Sequence, residues 1–451
     1  MNRIRITSIA LVSILFFARA AQAAPVCTAQ PGALPNPATT PGTKNPNIPI
    51  EHIVVIMQEN HSFDQYLGKL TLPQFYGSAI DGITDALTYP DEHDKPAAPY
   101  HETELCIDDV GHEWDPQHRM WNQGKNDRFL LENGKRAIGY FDHTDLPFYY
   151  SLANEFATAD RYFCSSLTQT IPNRMYLFAG TSFGHIANDI PKNTSEFAQP
   201  TIFDLMTKHG VSWKYYSDNK LIGYTALFQP MLHANIQKMQ KISDFEKDLA
   251  NGTLPQVVFI DSLMENEDEH PNANIQVGQK WVADRVLALL NSSYWKNSVL
   301  FFTYDENGGF ADHVPPPEAC VPDAIPPMLK SNSEPGVFDR LGFRVPFIAV
   351  SPYVKRHFVS HVTYDHTSIL KFIQTTHNLP ALTFRDANAD AMLDLFDFKN
   401  PRYDLPKLVS ANIDSARFCK PPHDSDELTL LKELEKRGLN SLRPPIDKKY
   451  P

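Results

Sequence analysis

Short apolar runs bounded by polar or turn-forming residues recur along the chain: His52 to Met57 (HIVVIM), Val211 to Ser217 (VSWKYYS), Gln256 to Asp261 (QVVFID), Ser298 to Glu306 (SVLFFTYDE) and Val345 to Ser351 (VPFIAVS). They are rich in β-branched and aromatic residues and apolar on both faces, the pattern of strands buried inside a sheet. Between them the period becomes helical. In VGQKWVADRVLALLNSS, Val277, Trp281, Val282, Val286, Leu289 and Leu290 form one broad stripe that leads directly into SVLFFTYDE. DHTSILKFIQTTHNLP predicts another helix, with Asp365 as N-cap and Ile369, Leu370, Phe372 and Ile373 on its apolar face. DSDELTLLKELEKRGLN has Asp424 and Glu427 at capping-box spacing and Gly438 as its stop. Strands alternating with helices predict an α/β fold, a mostly parallel sheet covered on both sides.

The termini break this pattern. A basic start at Arg3 and Arg5, an apolar stretch from Ile9 to Ala18 and the small-residue site Ala21-Gln22-Ala23 predict a signal peptide over residues 1–23. The apolar run is well short of the roughly 20 residues a spanning helix needs, so the mature chain is expected to carry no transmembrane segment and to be secreted or periplasmic. Residues 24–49, dense in Pro, Thr, Asn and Gly, read as an extended arm, residues 50–400 as one catalytic domain, and residues 401–451 as a C-terminal extension with one helix. His313 to Gly336 is too rich in proline for helix or central strand and is expected as an irregular loop or rim.

Composition narrows the partners. The formal net charge is -12 and no Lys/Arg cluster offers a phosphate-backbone track, which argues against nucleic acid. The same charge gives no general attraction to anionic membranes, so any transient lipid contact has to be local or apolar. Five widely spaced cysteines, none in a CxxC pair, allow up to two disulfides with one thiol left over.

Chemistry concentrates at strand ends. In open α/β sheets ligands bind beyond the carboxyl ends of the strands, and there the first run ends in Glu59-Asn60 and a later one in Asp305-Glu306. Carboxylates gathered on one rim repel one another unless a cation lies between them. Either pair alone reads as a helix cap or a solvated turn; their coincidence points to a metal site. CSSLTQTIPNRMYLFAGTSFG adds Thr170 before a helix start, where backbone N–H groups can hold phosphate and a metal can activate the hydroxyl. Of the 17 histidines, DDVGHEWDPQH offers His112 and His118, while His270, after an acidic loop, and His313, seven residues past Glu306, are the stronger candidates for offsetting phosphate charge or protonating a leaving oxygen.

Together HIVVIMQENHSFDQYLG, TIPNRMYLFAGT and TYDENGGFADHVPPP resemble the bacterial phospholipase C and acid phosphatase A family of phosphoesterases, over roughly His52 to Asn378. The resemblance implies an alkaline-phosphatase-like three-layer α/β/α sandwich. It matches Glu59, Asn60, Asp305 and Glu306 to metal ligands, Thr170 to the metal-bound nucleophile, and His112 and His270 to histidines around the phosphate, with His313 in the last motif. His61 stands where arginine is frequent and Asn307 where histidine is. The implied activity is hydrolysis of glycerophospholipids such as phosphatidylcholine to diacylglycerol and a phosphorylated head group, through a phosphothreonine, with a histidine, His270 by preference, assisting the leaving alcohol. A broad acid phosphatase is the alternative enzyme, and an exported binding protein on the same scaffold the alternative of another class. The implied cofactor is one or more divalent metal ions, zinc by resemblance, with calcium, magnesium or manganese equally suited to oxygen ligands.

Overall fold

The computed structural model describes residues 26–189, 200–218, 223–262, 267–414 and 416–417. The signal segment and the helix expected near Asp424 lie outside these residues. One sheet of eight strands organises the chain: β1 (His52–Gln58), β2 (Ala157–Ala159), β3 (Trp213–Ser217), β4 (Met239–Gln240), β5 (Val257–Asp261), β6 (Ser298–Tyr304), β7 (Phe347–Val350) and β8 (Phe358–Ser360). Their order across the sheet is β8-β2-β7-β6-β1-β5-β3-β4. All run in one direction except β7, which is antiparallel to both its neighbours.

The five apolar runs all form strands. β2, β4 and β8, two or three residues each, are too short to show a period and are held by the sheet rather than by local propensity. Six helices matter for the site: α1 (Phe63–Leu67), α2 (Trp114–Trp121), α3 (Pro147–Glu155), α4 (Thr170–Ala179), α5 (Ile275–Leu290) and α6 (His366–His377). Consecutive strand residues point to opposite faces, and β6 shows what covers each. The Phe301 ring meets Phe372 of α6 at 5.0 Å, whereas Phe302 meets Tyr149 of α3 at 4.9 Å. The sheet is therefore the middle of three layers.

Two irregular segments brace this core. From Val26 to Glu51 the chain has no regular element and lies along the end of α6. Gly42 N–H donates to His377 O (3.1 Å), Asn45 N–H to Thr376 O (2.8 Å), and the Asn378 amide donates to Asn36 O and Thr39 O (both 3.0 Å). A disulfide joins Cys27 to Cys320 in the proline-rich segment, and Cys164 is a buried free thiol. The disulfide fits an exported protein. Among the described residues no helix is long and apolar enough to cross a membrane.

Candidate active site

β1 and β6 are hydrogen-bonded neighbours with Gln58 opposite Tyr304, so the residues that follow emerge side by side. Asn60 turns away with φ 63°, a left-handed conformation that asparagine tolerates better than most residues. Its N–H donates to Asp305 Oδ1 (3.0 Å), and Glu306 N–H donates to the same oxygen (2.7 Å). Glycine is required behind this turn: a Cβ on Gly308 would lie 2.1 Å from the Asn60 carbonyl oxygen. Glu306 Oε2 accepts from Gly308 N–H (2.8 Å) and from Gln117 Nε2 of α2 (3.1 Å).

Thr170 is the first residue of α4 and is fully buried. The loop before it is clamped by Asn173, whose amide accepts from Ser166 N–H (3.0 Å) and donates to Thr168 O (2.8 Å) and Gln169 O (3.1 Å). Gln117 Nε2 also donates to Thr168 O (2.9 Å), tying the loop to α2. The inward end of the Asn60 amide lies 3.3 Å from Thr170 Oγ1, 3.0 Å from Glu306 Oε1 and 3.3 Å from Asp305 Oδ1, and its other end lies 3.0 Å from His270 Nε2.

That spacing tests the site for a cation. With nitrogen inward, the amide donates to the surrounding oxygens. With oxygen inward, four oxygens converge, and the threonine hydroxyl and a protonated Glu306 carboxyl are the only hydrogens available among them. Adjacent oxygens around a divalent cation bound at about 2.1–2.4 Å stand about 3.0–3.4 Å apart, the separation found here. The Glu306 carboxyl is pushed up to about 8, first by burial and further by the Asp305 charge, with His112 opposing. The donor set fits a divalent cation.

A buried guanidinium completes the electrostatics. Arg174, one helical turn after Thr170, reaches Glu59 Oε1 (3.0 Å), Asp261 Oδ1 at the end of β5 (3.1 Å) and Asp305 Oδ2 (3.4 Å), and stacks on the Tyr224 ring at 4.0 Å. Tyr224 Oη donates to Glu59 Oε1 (2.5 Å). Glu59 Oε1 is thus committed to Arg174 and Tyr224, and any part Glu59 takes in holding a cation falls to its other oxygen. Sequence reading missed both Arg174 and Asp261. The strand-end rule that found Glu59 and Asp305 also covers Asp261, and the i, i+4 spacing from Thr170 puts Arg174 on the same helix face.

His112 and His270 stand beside this group, their ring centroids 6.3 Å apart. Each holds Nδ1 against a backbone carbonyl, Val110 O (2.7 Å) and Pro271 O (3.0 Å) respectively, so in both Nδ1 carries its hydrogen and Nε2 faces the site. His112 Nε2 is buried, 3.9 Å from Glu306 Oε1, with no hydrogen-bond partner among the described residues. Burial alone would depress the His112 imidazole, but the charges of Asp109 and Glu306 raise it well above its ordinary value. Asp109, His112 and His270 lie close enough to share an ion.

His313 is placed elsewhere. Its Nδ1 and Nε2 bond Asp64 Oδ2 (2.7 Å) and Asp81 Oδ1 (2.9 Å), inside a second network in which Arg344 reaches Asp64 Oδ1 (2.9 Å) and Asp312 Oδ1 (2.7 Å). The other candidates, Glu59, Asn60, Thr170, Asp305, Glu306, His112 and His270, come together. His61 is locked between Gln65 Oε1 and Glu269 O (both 2.7 Å) and stacks on Tyr66, with burial pulling it down to about 4. It is a packing residue here. Asn307 donates to Phe310 O (2.8 Å) and shapes the glycine turn.

The sequence profile of the Phosphoesterase family matches residues 50–380. Phospholipase C B of Mycobacterium tuberculosis is 33% identical over 436 residues, covering 83% of this chain and 82% of that protein. Non-specific phospholipase C1 of Arabidopsis thaliana is 32% identical, covering 80% of this chain and 73% of that protein. A solved structure from Vibrio parahaemolyticus, described as a protein in the alkaline phosphatase superfamily, aligns with 91% of this chain and 90% of its own at 9% identity and a TM-score of 0.40. With a family match spanning most of its length and relatives near one-third identity aligned over more than two thirds of both chains, the chain belongs to the Phosphoesterase family.

Proposed function

We propose that this phosphoesterase is a metal-dependent phospholipase C that cleaves glycerophospholipids such as phosphatidylcholine through a phosphothreonine. The observation that carries this reading is the convergence of Thr170 Oγ1, Asp305 Oδ1 and Glu306 Oε1 on the inward end of the Asn60 amide at 3.0–3.3 Å. Asn60, Asp305, Glu306 and Thr170, with Glu59 through its second oxygen, are the residues that would hold a divalent cation. Bound there, such a cation supplies Lewis-acid charge that favours the deprotonated threonine hydroxyl and the phosphoryl oxygens.

The chain's own groups perform the rest. Asn173 and Gln117 fix the loop in which Thr170 Oγ1 lies against the Asn60 amide. Thr170 Oγ1 gives its proton up to solvent and forms a bond to phosphorus as the bond from phosphorus to the glyceryl oxygen breaks, and a second proton passes to that oxygen, releasing diacylglycerol. We assign this proton to His112, whose Nε2 is uncommitted, rather than to His270, whose Nε2 is engaged with Asn60. His270 keeps the Asn60 amide in position. Water then attacks phosphorus as the bond to Thr170 Oγ1 breaks, its protons restoring the Thr170 hydroxyl and the His112 imidazolium, and the phosphorylated head group leaves. Burial of every one of these groups strengthens their mutual electrostatics.

The relatives' names carry the choice of a phospholipid over a small phosphomonoester. The test is an activity panel on the purified mature protein: phosphatidylcholine, a soluble aryl phosphodiester and an aryl phosphate monoester, each before and after chelation. Phosphocholine release from phosphatidylcholine, lost on chelation and restored by one divalent cation, is expected. Hydrolysis confined to the monoester would replace the reading with that of a phosphatase, and a protein inert on all three, with cation restored, would leave a binding scaffold.

A further inference from the structure

The proline-rich segment crosses between the two flanks of the site. At one end Met328 N–H donates to Gly184 O (2.9 Å), and two residues later in that strand of chain Ile186 O accepts from Thr168 Oγ1 (2.6 Å), in the loop that carries Thr170. At the other end Glu334 N–H donates to Asp115 Oδ1 (2.7 Å) and Trp114 Nε1 donates to Glu334 O (2.9 Å), at the start of α2 and two residues beyond His112. Gly336 closes against the Trp114 and His118 rings, where a Cβ would come within 2.7 Å of both.

Between these anchors the chain projects. Lys330 N–H donates to Ser333 Oγ and Ser333 N–H to Lys330 O (both 3.1 Å), which fixes a tight turn, and residues 328–332, Met-Leu-Lys-Ser-Asn, are all exposed. Met328 is 48% and Leu329 39% exposed, although each is a side chain that water disfavours. Chemistry of the tip differs from that of the whole molecule: residues 324–333 contain one lysine and no carboxylate in a chain of net charge -12. An apolar pair beside a single long cationic side chain is the composition that sits at a lipid–water boundary, the methylenes in the acyl region and the ammonium among head groups.

We infer that the tip of the proline-rich segment, Met328 and Leu329 with Lys330, is the contact by which the enzyme seats itself on a phospholipid surface. The inference rests on the phospholipase reading above and adds the place and mode of contact. Its anchors tie the tip to both the nucleophile loop and the His112 flank, so a surface that takes up the tip is held next to the site. Because the surrounding protein is acidic and the tip carries one cation, binding is apolar in character: it needs no anionic lipid and resists salt.

The test compares wild type with the double variant Met328→Asp, Leu329→Asp on two forms of one substrate, phosphatidylcholine vesicles and a short-chain phosphatidylcholine kept below its micelle concentration. Vesicle hydrolysis and co-flotation with vesicles are expected to fall at least tenfold in the variant, with monomer hydrolysis within twofold of wild type, which also shows that the variant folds. Raising salt should leave wild-type flotation unchanged. Equal vesicle hydrolysis by the two proteins overturns the inference alone. A wild type that cleaves neither phosphatidylcholine but does cleave an aryl phosphate overturns the phospholipase reading and the inference with it.

Discussion

Two buried guanidinium networks lie at the carboxyl end of the sheet, and they are built from the same parts to different ends. Arg344 sits among Asp64, Asp312, Asp81 and His313, and the two ring nitrogens of His313 each meet a carboxylate. Every charge there faces a partner of opposite sign. Arg174 also sits among three carboxylates, but it covers only the side of Asp305 turned toward Glu59 and Asp261. On the far side, Asp305 Oδ1, Glu306 Oε1 and Thr170 Oγ1 crowd the Asn60 amide, and among the described residues no guanidinium bonds those three oxygens. A saturated network holds the fold together. One left short of positive charge is where a cation and a phosphate can be taken up.

The contrast is sharpest at Thr170. Thr170→Ala should lower turnover by at least about 10⁴-fold, the scale of losing a nucleophile, while the thermal midpoint stays within about 2 °C. A folded, active variant removes the assignment of the nucleophile. Next is Arg344→Gln, which leaves Asp64 and Asp312 buried without their counter-charge and should cost about 3–5 kcal/mol in denaturant unfolding, with turnover per folded molecule kept within a few-fold. Comparable loss of turnover without loss of stability would erase the distinction between the two networks.

Arg174→Gln separates them further. In the cation-free protein it should be destabilising by about 3 kcal/mol, and adding a divalent cation should raise its thermal midpoint more than that of wild type. Arg344→Gln should gain no more from the cation than wild type does. The smallest effect concerns pH. Burial opposes the charged form of His313, but the Asp64 charge and the bonds to Asp64 and Asp81 outweigh it and push the imidazole from 6.5 to about 9. A group raised on folding stabilises fully below its unfolded value and loses that contribution as pH climbs through its folded one. Unfolding free energy should therefore drop by on the order of 1–3 kcal/mol between pH 6.5 and 9.5, and His313→Asn should flatten this slope.

Much of this architecture was legible because it follows from rules of short range. The interior strands announce themselves by continuous β-branched runs, and α5 and α6 by their apolar stripes. Glu59, Asn60, Asp305 and Glu306 are found by one inference, that strand ends meet. What was illegible depends on where the chain turns. The reversed direction of β7 has no local signature, since Val345 to Ser351 reads the same either way. His313 stands only seven residues past Glu306, yet Gly308 and Gly309, at φ +61° and +73°, send it into the Arg344 network. Arg174 and Asp261 carry ordinary signals that gain meaning only when β1, β5 and β6 are seen side by side. The proline-rich segment reads as an irregular loop or rim, and its described course has no regular element, but its two anchors on the site's flanks come from tertiary hydrogen bonds that no spacing reveals.

The most direct measurement is the divalent-ion content of chains purified without chelator, wild type beside Glu306→Gln. Close to one ion per wild-type chain, with the variant retaining under about a tenth of that while still folded, is the expected result. Wild-type protein that is free of divalent ions and hydrolyses its ester at full rate, or a variant that keeps its ion, would contradict a cation held among Asn60, Asp305, Glu306 and Thr170.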